Sequence, residues 1–184
     1  ANMNMVRVWG GGIYETDEFY DLCDSLGIMV WQDFIFACTM YPSEGQLLET
    51  MKQEFADNIR RIRNHPSLAL WCGSNELEYS WASKSLRKRN SPEKMEAIWK
   101  MYLDQNAAIE AALDSLCPEI CYQPSSPFRG YGKGKSSYEG DYHSWSVLGG
   151  SKPIENIEKC DIIVKVYGRS GIYEKKKCSN YCTR

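Results

Sequence analysis

Four short apolar segments, separated by amphipathic helical patterns, constrain the fold of this chain more than any other feature. The apolar segments lie at 3–10, 28–37, 67–73 and 119–127. Between the second and third of them, Leu47, Leu48, Met51, Phe55, Ile59 and Ile62 recur at helical spacing. Near-continuous apolar strands that alternate with helices are typical of parallel βα units. The pattern therefore predicts an α/β fold with a parallel sheet.

Two parallel architectures fit this pattern, a doubly wound sheet and a (β/α)8 barrel. The glycines at 10–12 lack the rest of a dinucleotide-binding fingerprint. Polar or aromatic residues instead follow the predicted strands directly, namely Trp9, Asp33, Asn75, Glu76 and Gln123. Barrel enzymes build their active sites at these strand ends, so the order of residues favours a barrel. Four strands are half of such a barrel.

Composition excludes several classes of partner and site. A formal net charge of -2 argues against a nucleic acid or an anionic membrane as partner. The cysteine pairs Cys117/Cys121 and Cys178/Cys182 each enclose three residues, which is not the spacing common in zinc sites. We therefore expect free thiols, no metal site and no cofactor.

Glu76 is the residue with the clearest chemical interpretation. It ends the sequence HPSLALWCGSNE, in which a buried strand delivers an amide and a carboxylic acid. An acid in apolar surroundings suits general acid catalysis, and glycosidic cleavage needs such an acid to protonate the departing oxygen. Spacing alone leaves a second interpretation equally open, because an acid at a helix start is also stabilised by the helix dipole.

Several motifs favour the catalytic interpretation by resemblance. The segments RNHPSLALWCGSNE, NMNMVRVWGGGIYE, YDLCDSLGIMVWQDFIFACTMYP, YQPSSP and GDYHSW resemble the β-mannosidase branch of glycoside hydrolase family 2. The resemblance covers about residues 1–155. It implies a partial (β/α)8 TIM barrel, about strands 2 to 5 or 6, and hydrolysis of terminal non-reducing β-D-mannose residues by a retaining double displacement. The implied ligand is a β-mannoside or a mannose-containing oligosaccharide.

The same resemblance implies roles for individual residues. Glu76 corresponds to the acid/base, and Asn75 to the residue that hydrogen-bonds the sugar 2-hydroxyl. The remaining implied substrate-binding residues are Trp9, Asp33, Trp81, His143 and Trp145, with Asp33 near the pocket floor and Trp81 as a wall. Ser74 departs from the asparagine typical of its position, which affects the expected geometry of the subsite.

The last segment, 156–184, does not continue the resemblance. The family's nucleophilic glutamate, in a segment similar to Ser-Glu-aromatic-Gly, is expected after SVLGGSKPIENIEK, but no match follows. The tail is basic and offers one possible strand, at 162–167. We interpret it as a divergent tail, from truncation or a shifted reading frame, with an appended binding segment as the alternative.

Three hypotheses on function follow from these features. The first is a truncated catalytic piece of a β-mannosidase, inactive by itself and prone to associate through open barrel edges. The second is a noncatalytic sugar-binding module or a nonfunctional fragment. The third is a related β-glycosidase with another sugar preference, which would share every residue named here.

Overall fold

A computed structural model describes residues 4–132, 140–144, 163–167 and 172–175. The strands are β1 (Met5–Val8), β2 (Met29–Asp33), β3 (Leu68–Cys72), β4 (Cys121–Gln123), β5 (Asp141–Ser144), β6 (Ile163–Tyr167) and β7 (Ile172–Lys175). The helices are α1 (Asp17–Leu26), α2 (Gly45–Ile62), α3 (Leu77–Trp81), α4 (Lys84–Arg89) and α5 (Pro92–Leu116). All seven strands lie in one sheet, in the order β4-β3-β2-β1-β6-β7-β5.

The first four strands pair in parallel, in the order in which they occur along the chain. Each crossover between them contains at least one helix. The prediction of an α/β fold with a parallel sheet is therefore confirmed. Because parallel strands end at the same edge, the residues that follow β1, β2, β3 and β4 converge there.

Two strands are shorter than the sequence predicts. β2 ends at Asp33, because Phe34 and Phe36 leave the ladder and bury their rings in the core. The Phe34 N–H still donates to the Cys72 carbonyl of β3, 2.8 Å away. β4 ends before Pro124, which has no N–H for a further ladder bond. The short helices α3 and α4 lie between β3 and α5.

The core lies between the sheet and helices α2 and α5. Phe55 of α2 contacts Phe34 edge-on, with ring centroids 5.2 Å apart, and Phe34 stacks on Trp71 of β3 at 5.1 Å. The positions of α2 predicted to be apolar and inward are buried, apart from those in its first turn, where Leu47 is 44% exposed. The five cysteines in the described ranges are free thiols. No helix in these ranges is long and apolar enough to cross a membrane.

The sheet curls, so that groups from distant strands meet. Gln123 at the end of β4 donates from Nε2 to Asp141 Oδ1 of β5 at 2.8 Å, although these strands are at opposite ends of the sheet order. The outer edge of β1 is paired in parallel with β6. The expected association through open barrel edges stays a prediction. The sequence pattern indicated a strand at 162–167 but not its partner, because pairing depends on tertiary contacts.

Candidate active site

Glu76 lies four residues beyond the end of β3, at the edge where the parallel strands terminate. Its backbone N–H donates to the Ser126 carbonyl at 2.8 Å, which ties it to the segment after β4. Its side chain is 20% exposed. One carboxyl oxygen lies 2.6 Å from His143 Nδ1, and the other lies 4.0 Å from Cys38 Sγ. The carboxyl group is thus oriented by neighbours yet reachable from solvent.

The backbone around Glu76 is strained. Glu76 has φ 58°, in the left-handed region, and Cys38 beside it has φ 61°. These are the two non-glycine residues with positive φ in the described ranges. For residues with a Cβ atom this conformation costs about 1–2 kcal/mol. Strain of this kind concentrates at functional sites, where the surrounding structure enforces it.

Replacing Cys38 by glycine is expected to raise the free energy of unfolding by about 0.5–1 kcal/mol, because relief of left-handed strain exceeds the extra entropy of an unfolded glycine. Urea denaturation would measure the change. Ala37→Gly is the matched control, since Ala37 has an ordinary φ and the substitution should destabilise the fold. A loss of stability in both variants would contradict the strain assignment.

Asn75 connects the ends of β2, β3 and β4. Its N–H donates to the Phe36 carbonyl at 2.9 Å, and its own carbonyl accepts from Cys38 N–H at 2.8 Å. Its side-chain amide contacts Cys38 Sγ at 3.4 Å, and the residue is 2% exposed. The Asn75 amide and the Glu76 carboxyl group therefore both contact the Cys38 thiol.

His143 of β5 is the closest described partner of Glu76. Its second ring nitrogen, Nε2, lies 2.8 Å from Ser126 Oγ and 3.4 Å from Arg7 Nη1. Burial lowers the pKa of His143 to about 4, with a further contribution from the Arg7 charge, and the contact with Glu76 only partly opposes this. The imidazole is consequently neutral at physiological pH. We predicted a substrate-binding role for His143, and the structure places it against the acid.

Asp33 forms a buried ion pair rather than part of an open rim. Arg7 donates to both of its oxygens, at 2.9 and 2.7 Å, and both side chains are fully buried. Trp31 Nε1 and the Gly10 N–H complete the set, at 3.0 and 2.9 Å. With four donors on its oxygens, Asp33 anchors the turn that follows β1. The place near the pocket floor that the resemblance implies for Asp33 stays a prediction, and the structure adds that both of its oxygens are occupied by protein donors.

Trp9 lies directly after β1, half-buried against Trp31 and Leu70. A Cβ atom on Gly11 would come within 2.1 Å of the Trp9 ring, so the ring requires a glycine at this position. The Trp9 indole N–H is buried without a hydrogen-bond partner. Buried N–H groups are normally paired, which makes this one a candidate donor to a ligand.

Trp81 and Trp145 are the two remaining tryptophans predicted to bind substrate. Trp81 ends α3 and donates from its indole N–H to the Met95 carbonyl at 3.2 Å. Its ring packs against the Trp99 ring at a tilt, with centroids 4.3 Å apart. Trp81 thus belongs to an aromatic cluster with α5, and no described contact joins it to Glu76. Trp145 lies outside the described residues.

A cluster of Asp21, Asp24 and His65 is the one group in the described ranges whose ligand atoms could hold a metal ion. His65 Nδ1 lies 2.7 Å from Asp24 Oδ2, and the Ser67 N–H donates to the other Asp24 oxygen at 2.8 Å. Burial raises the pKa of Asp24, but these hydrogen bonds outweigh it and the pKa lies below its ordinary value. These contacts connect α1 to the start of β3, which accounts for the cluster without a metal ion.

Comparisons with known proteins agree with these observations. No protein-family model matches the chain. It is 39% identical over 159 residues to beta-mannosidase B of Thermothelomyces thermophilus, covering 83% of this chain and 18% of that protein. It is 56% identical over 78 residues to the beta-mannosidase of Capra hircus, covering 42% of this chain and 9% of that protein.

A solved structure extends the likeness to three dimensions. The beta-D-mannosidase from Dictyoglomus thermophilum matches with a TM-score of 0.68 and 42% identity, over 80% of this chain and 17% of that one. The chain belongs to the β-mannosidase branch of glycoside hydrolase family 2. The chain spans about a fifth of the length of the beta-mannosidase B relatives that it matches, between 18% and 20%.

Sequence reasoning missed three polar residues of this site. Arg7, Ser126 and Asp141 form the buried network behind His143. One signal was present for Arg7, because a charged residue inside an apolar strand needs a buried partner. Ser126 and Asp141 lie within the motifs YQPSSP and GDYHSW, but nothing in the sequence shows that the two motifs meet.

Proposed function

We propose that this chain forms the part of a retaining β-mannosidase that carries the general acid/base, Glu76. The observation that supports this most is the position of its carboxyl group, at the converging ends of parallel strands, with His143 in contact and Asn75 adjacent. In the reaction, Glu76 protonates the departing glycosidic oxygen and later activates the water that releases mannose. The nucleophilic carboxylate comes from outside the 1–155 segment.

The proposed architecture is a partial (β/α)8 barrel, with β1 to β4 as consecutive barrel strands. Four parallel strands with helical crossovers, and site residues at their carboxyl ends, support this proposal. Residues 1–155 then form the catalytic segment, and 156–184 a divergent tail. Association through sheet edges would use β4 or β5, the strands at the two ends of the sheet order.

The proposed substrate is a terminal β-D-mannose residue. Asn75 provides an amide beside the acid, which suits contact with a sugar hydroxyl. Trp9 provides an aromatic face together with an indole N–H that has no protein partner. Trp145 and His143 are the further residues that we propose at or behind the sugar subsite. Trp81 is left out, because its ring and indole N–H are engaged by α5.

The test compares the chain with a chimera. In the chimera, residues 1–155 replace the matching segment of the Dictyoglomus thermophilum beta-D-mannosidase, which then supplies the rest of the barrel and the nucleophile. The chimera should hydrolyse an aryl β-D-mannoside, whereas the 184-residue chain by itself should show no turnover, because a retaining mechanism needs both carboxylates.

The substrate panel separates the alternatives. Preference of the chimera for an aryl β-D-glucoside would support the related-glycosidase hypothesis and contradict mannose specificity. A folded chimera that binds mannose but hydrolyses none of the glycosides would show that the segment is a noncatalytic sugar-binding module. Circular dichroism of the chimera provides the folding control for both results.

A further inference from the structure

His143 connects two polar groups through its two ring nitrogens. Nδ1 lies 2.6 Å from Glu76 Oε1, and Nε2 lies 2.8 Å from Ser126 Oγ. Contacts this short between nitrogen and oxygen contain a proton. A neutral imidazole carries one N–H, so it can supply the proton to one of these contacts only. Which nitrogen carries it decides whether Glu76 donates or accepts.

Ser126 has a single hydroxyl proton to place among three neighbours. Arg7 Nη1 donates to Ser126 Oγ at 2.9 Å, since a guanidinium only donates. Asp141 Oδ2 is a hydrogen-bond partner of the same oxygen. A carboxylate only accepts, so the serine proton points at Asp141. The proton between Ser126 and His143 must then come from Nε2.

The other contacts of Asp141 fix the orientation of its carboxyl group. Its Oδ1 accepts from Gln123 Nε2 at 2.8 Å and from the Phe128 N–H at 2.7 Å. With two N–H donors on Oδ1, the oxygen that faces the Ser126 hydroxyl is Oδ2.

The His143 ring is neutral because burial lowers its pKa to about 4. With its one N–H at Nε2, the ring presents a lone pair at Nδ1. The proton in the 2.6 Å contact between His143 and Glu76 therefore belongs to the glutamic acid. The 3.4 Å separation of Arg7 Nη1 from Nε2 follows from both atoms donating to the same serine oxygen.

We propose that Asp141, acting through Ser126, sets the tautomer of His143 and thereby holds Glu76 in its protonated form. Asp141, Ser126 and His143 are positioning residues, and Glu76 is the group that reacts. What the protonated acid is used for rests on the proposed function. A glycosidase acid must carry its proton before the leaving group departs, and this chain of hydrogen bonds supplies that condition.

Charged and titratable groups on several elements surround the pair of Glu76 and His143. They are Arg7 on β1, Asp33 on β2, Cys38 after β2 and Asp141 on β5. The Arg7 charge is matched by Asp33, and burial raises the pKa of the Cys38 thiol, which stays neutral. Asp141 is therefore the group whose charge selects the tautomer.

Nitrogen-15 NMR of the histidine-labelled 184-residue chain tests the proposal. The chain has two histidines, so both rings are assigned with one His65→Gln variant. Solid-state spectra make the measurement independent of whether the chain associates. At pH 7, we expect a protonated Nε2 and an unprotonated Nδ1 for His143. His65 is the internal control, because its Nδ1 faces the ionised Asp24 at 2.7 Å and should carry a proton.

Asp141→Asn is the variant that should reverse the tautomer. The asparagine oxygen must face Gln123 and Phe128, both of which donate, so its NH₂ group faces Ser126. The serine proton then turns to His143 Nε2, and the ring proton moves to Nδ1. In the active chimera, the same variant should shift the alkaline limb of kcat/KM to lower pH, because Nδ1–H stabilises ionised Glu76.

The NMR measurement tests the hydrogen-bond chain, and the activity measurement tests the proposed function, so the two can be contradicted separately. A wild-type His143 that is protonated at Nδ1, or at both nitrogens, overturns the proposal whether or not the chimera is active. An unchanged tautomer in folded Asp141→Asn overturns the role of Asp141. If the tautomers are as expected but the chimera shows no turnover, the hydrogen-bond chain stands and only the proposed function is rejected.

Discussion

Replacing Arg7 by methionine is expected to lower the free energy of unfolding by about 3–5 kcal/mol. The variant leaves the fully buried Asp33 carboxylate without its bidentate partner, and removal of one member of a buried pair leaves an uncompensated charge. Arg7 also stacks on Trp31, 4.9 Å from its ring, so some packing is lost as well. Urea denaturation at pH 7 measures the change.

Two comparisons isolate the electrostatic part of this loss. Arg60→Met removes an ion pair whose members are 55% and 59% exposed, and should cost at most about 1 kcal/mol. Arg7→Met combined with Asp33→Asn should recover part of the loss, because the neutral amide is less costly to bury. A loss below about 1 kcal/mol for Arg7→Met would contradict the assignment of this pair as the anchor of the site.

The loss should also depend on pH. Burial raises the pKa of Asp33, and the Arg7 charge opposes that rise. Without Arg7, the folded-state pKa rises further above the unfolded value. The cost of burying the unpaired Asp33 carboxylate is then present at pH values above the unfolded-state pKa. It decreases as the pH falls and the carboxyl group takes up a proton. The stability difference between the wild-type chain and Arg7→Met should therefore shrink as the pH falls.

Glu76→Gln should reduce hydrolysis of an unactivated aryl β-D-mannoside by the chimera by about 10²–10⁴-fold. The amide preserves the shape of the side chain but has no acidic proton to transfer to the departing oxygen. Binding of the mannoside should be retained. Steady-state kinetics separate kcat from KM, and a substrate with an activated leaving group should be affected less in the glycosylation step.

The control for Glu76→Gln is Glu49→Gln, an exposed position on α2 whose carboxylate pairs with Lys52. It removes the same acidic group from the surface and should leave turnover unchanged. Equal hydrolysis of the unactivated mannoside by the wild-type chimera and by Glu76→Gln would remove Glu76 from the role of general acid.

The α/β class and the alternation of the first four strands with helices were predictable from the sequence. The apolar run at 67–73 and the helical spacing of Met51, Phe55 and Ile59 mark residues that are buried. The period and the length of such apolar patterns distinguish strands from helices. The position of Glu76 at a strand end was predictable for the same reason. The likeness of the chain to glycoside hydrolase family 2 was also predictable, because it rests on short local motifs.

The environment of Glu76 was decided by tertiary structure alone. Asp141 and Ser126 are 15 residues apart, and Arg7 is 119 residues from Ser126, yet all three converge on one hydrogen-bond network. Sequence periodicity describes which face of an element is buried, but the curl of the sheet determines which faces meet. Asp33 illustrates the difference, since a strand-end acid can line a cleft or pair with an arginine, and only the approach of β1 brings Arg7 to it.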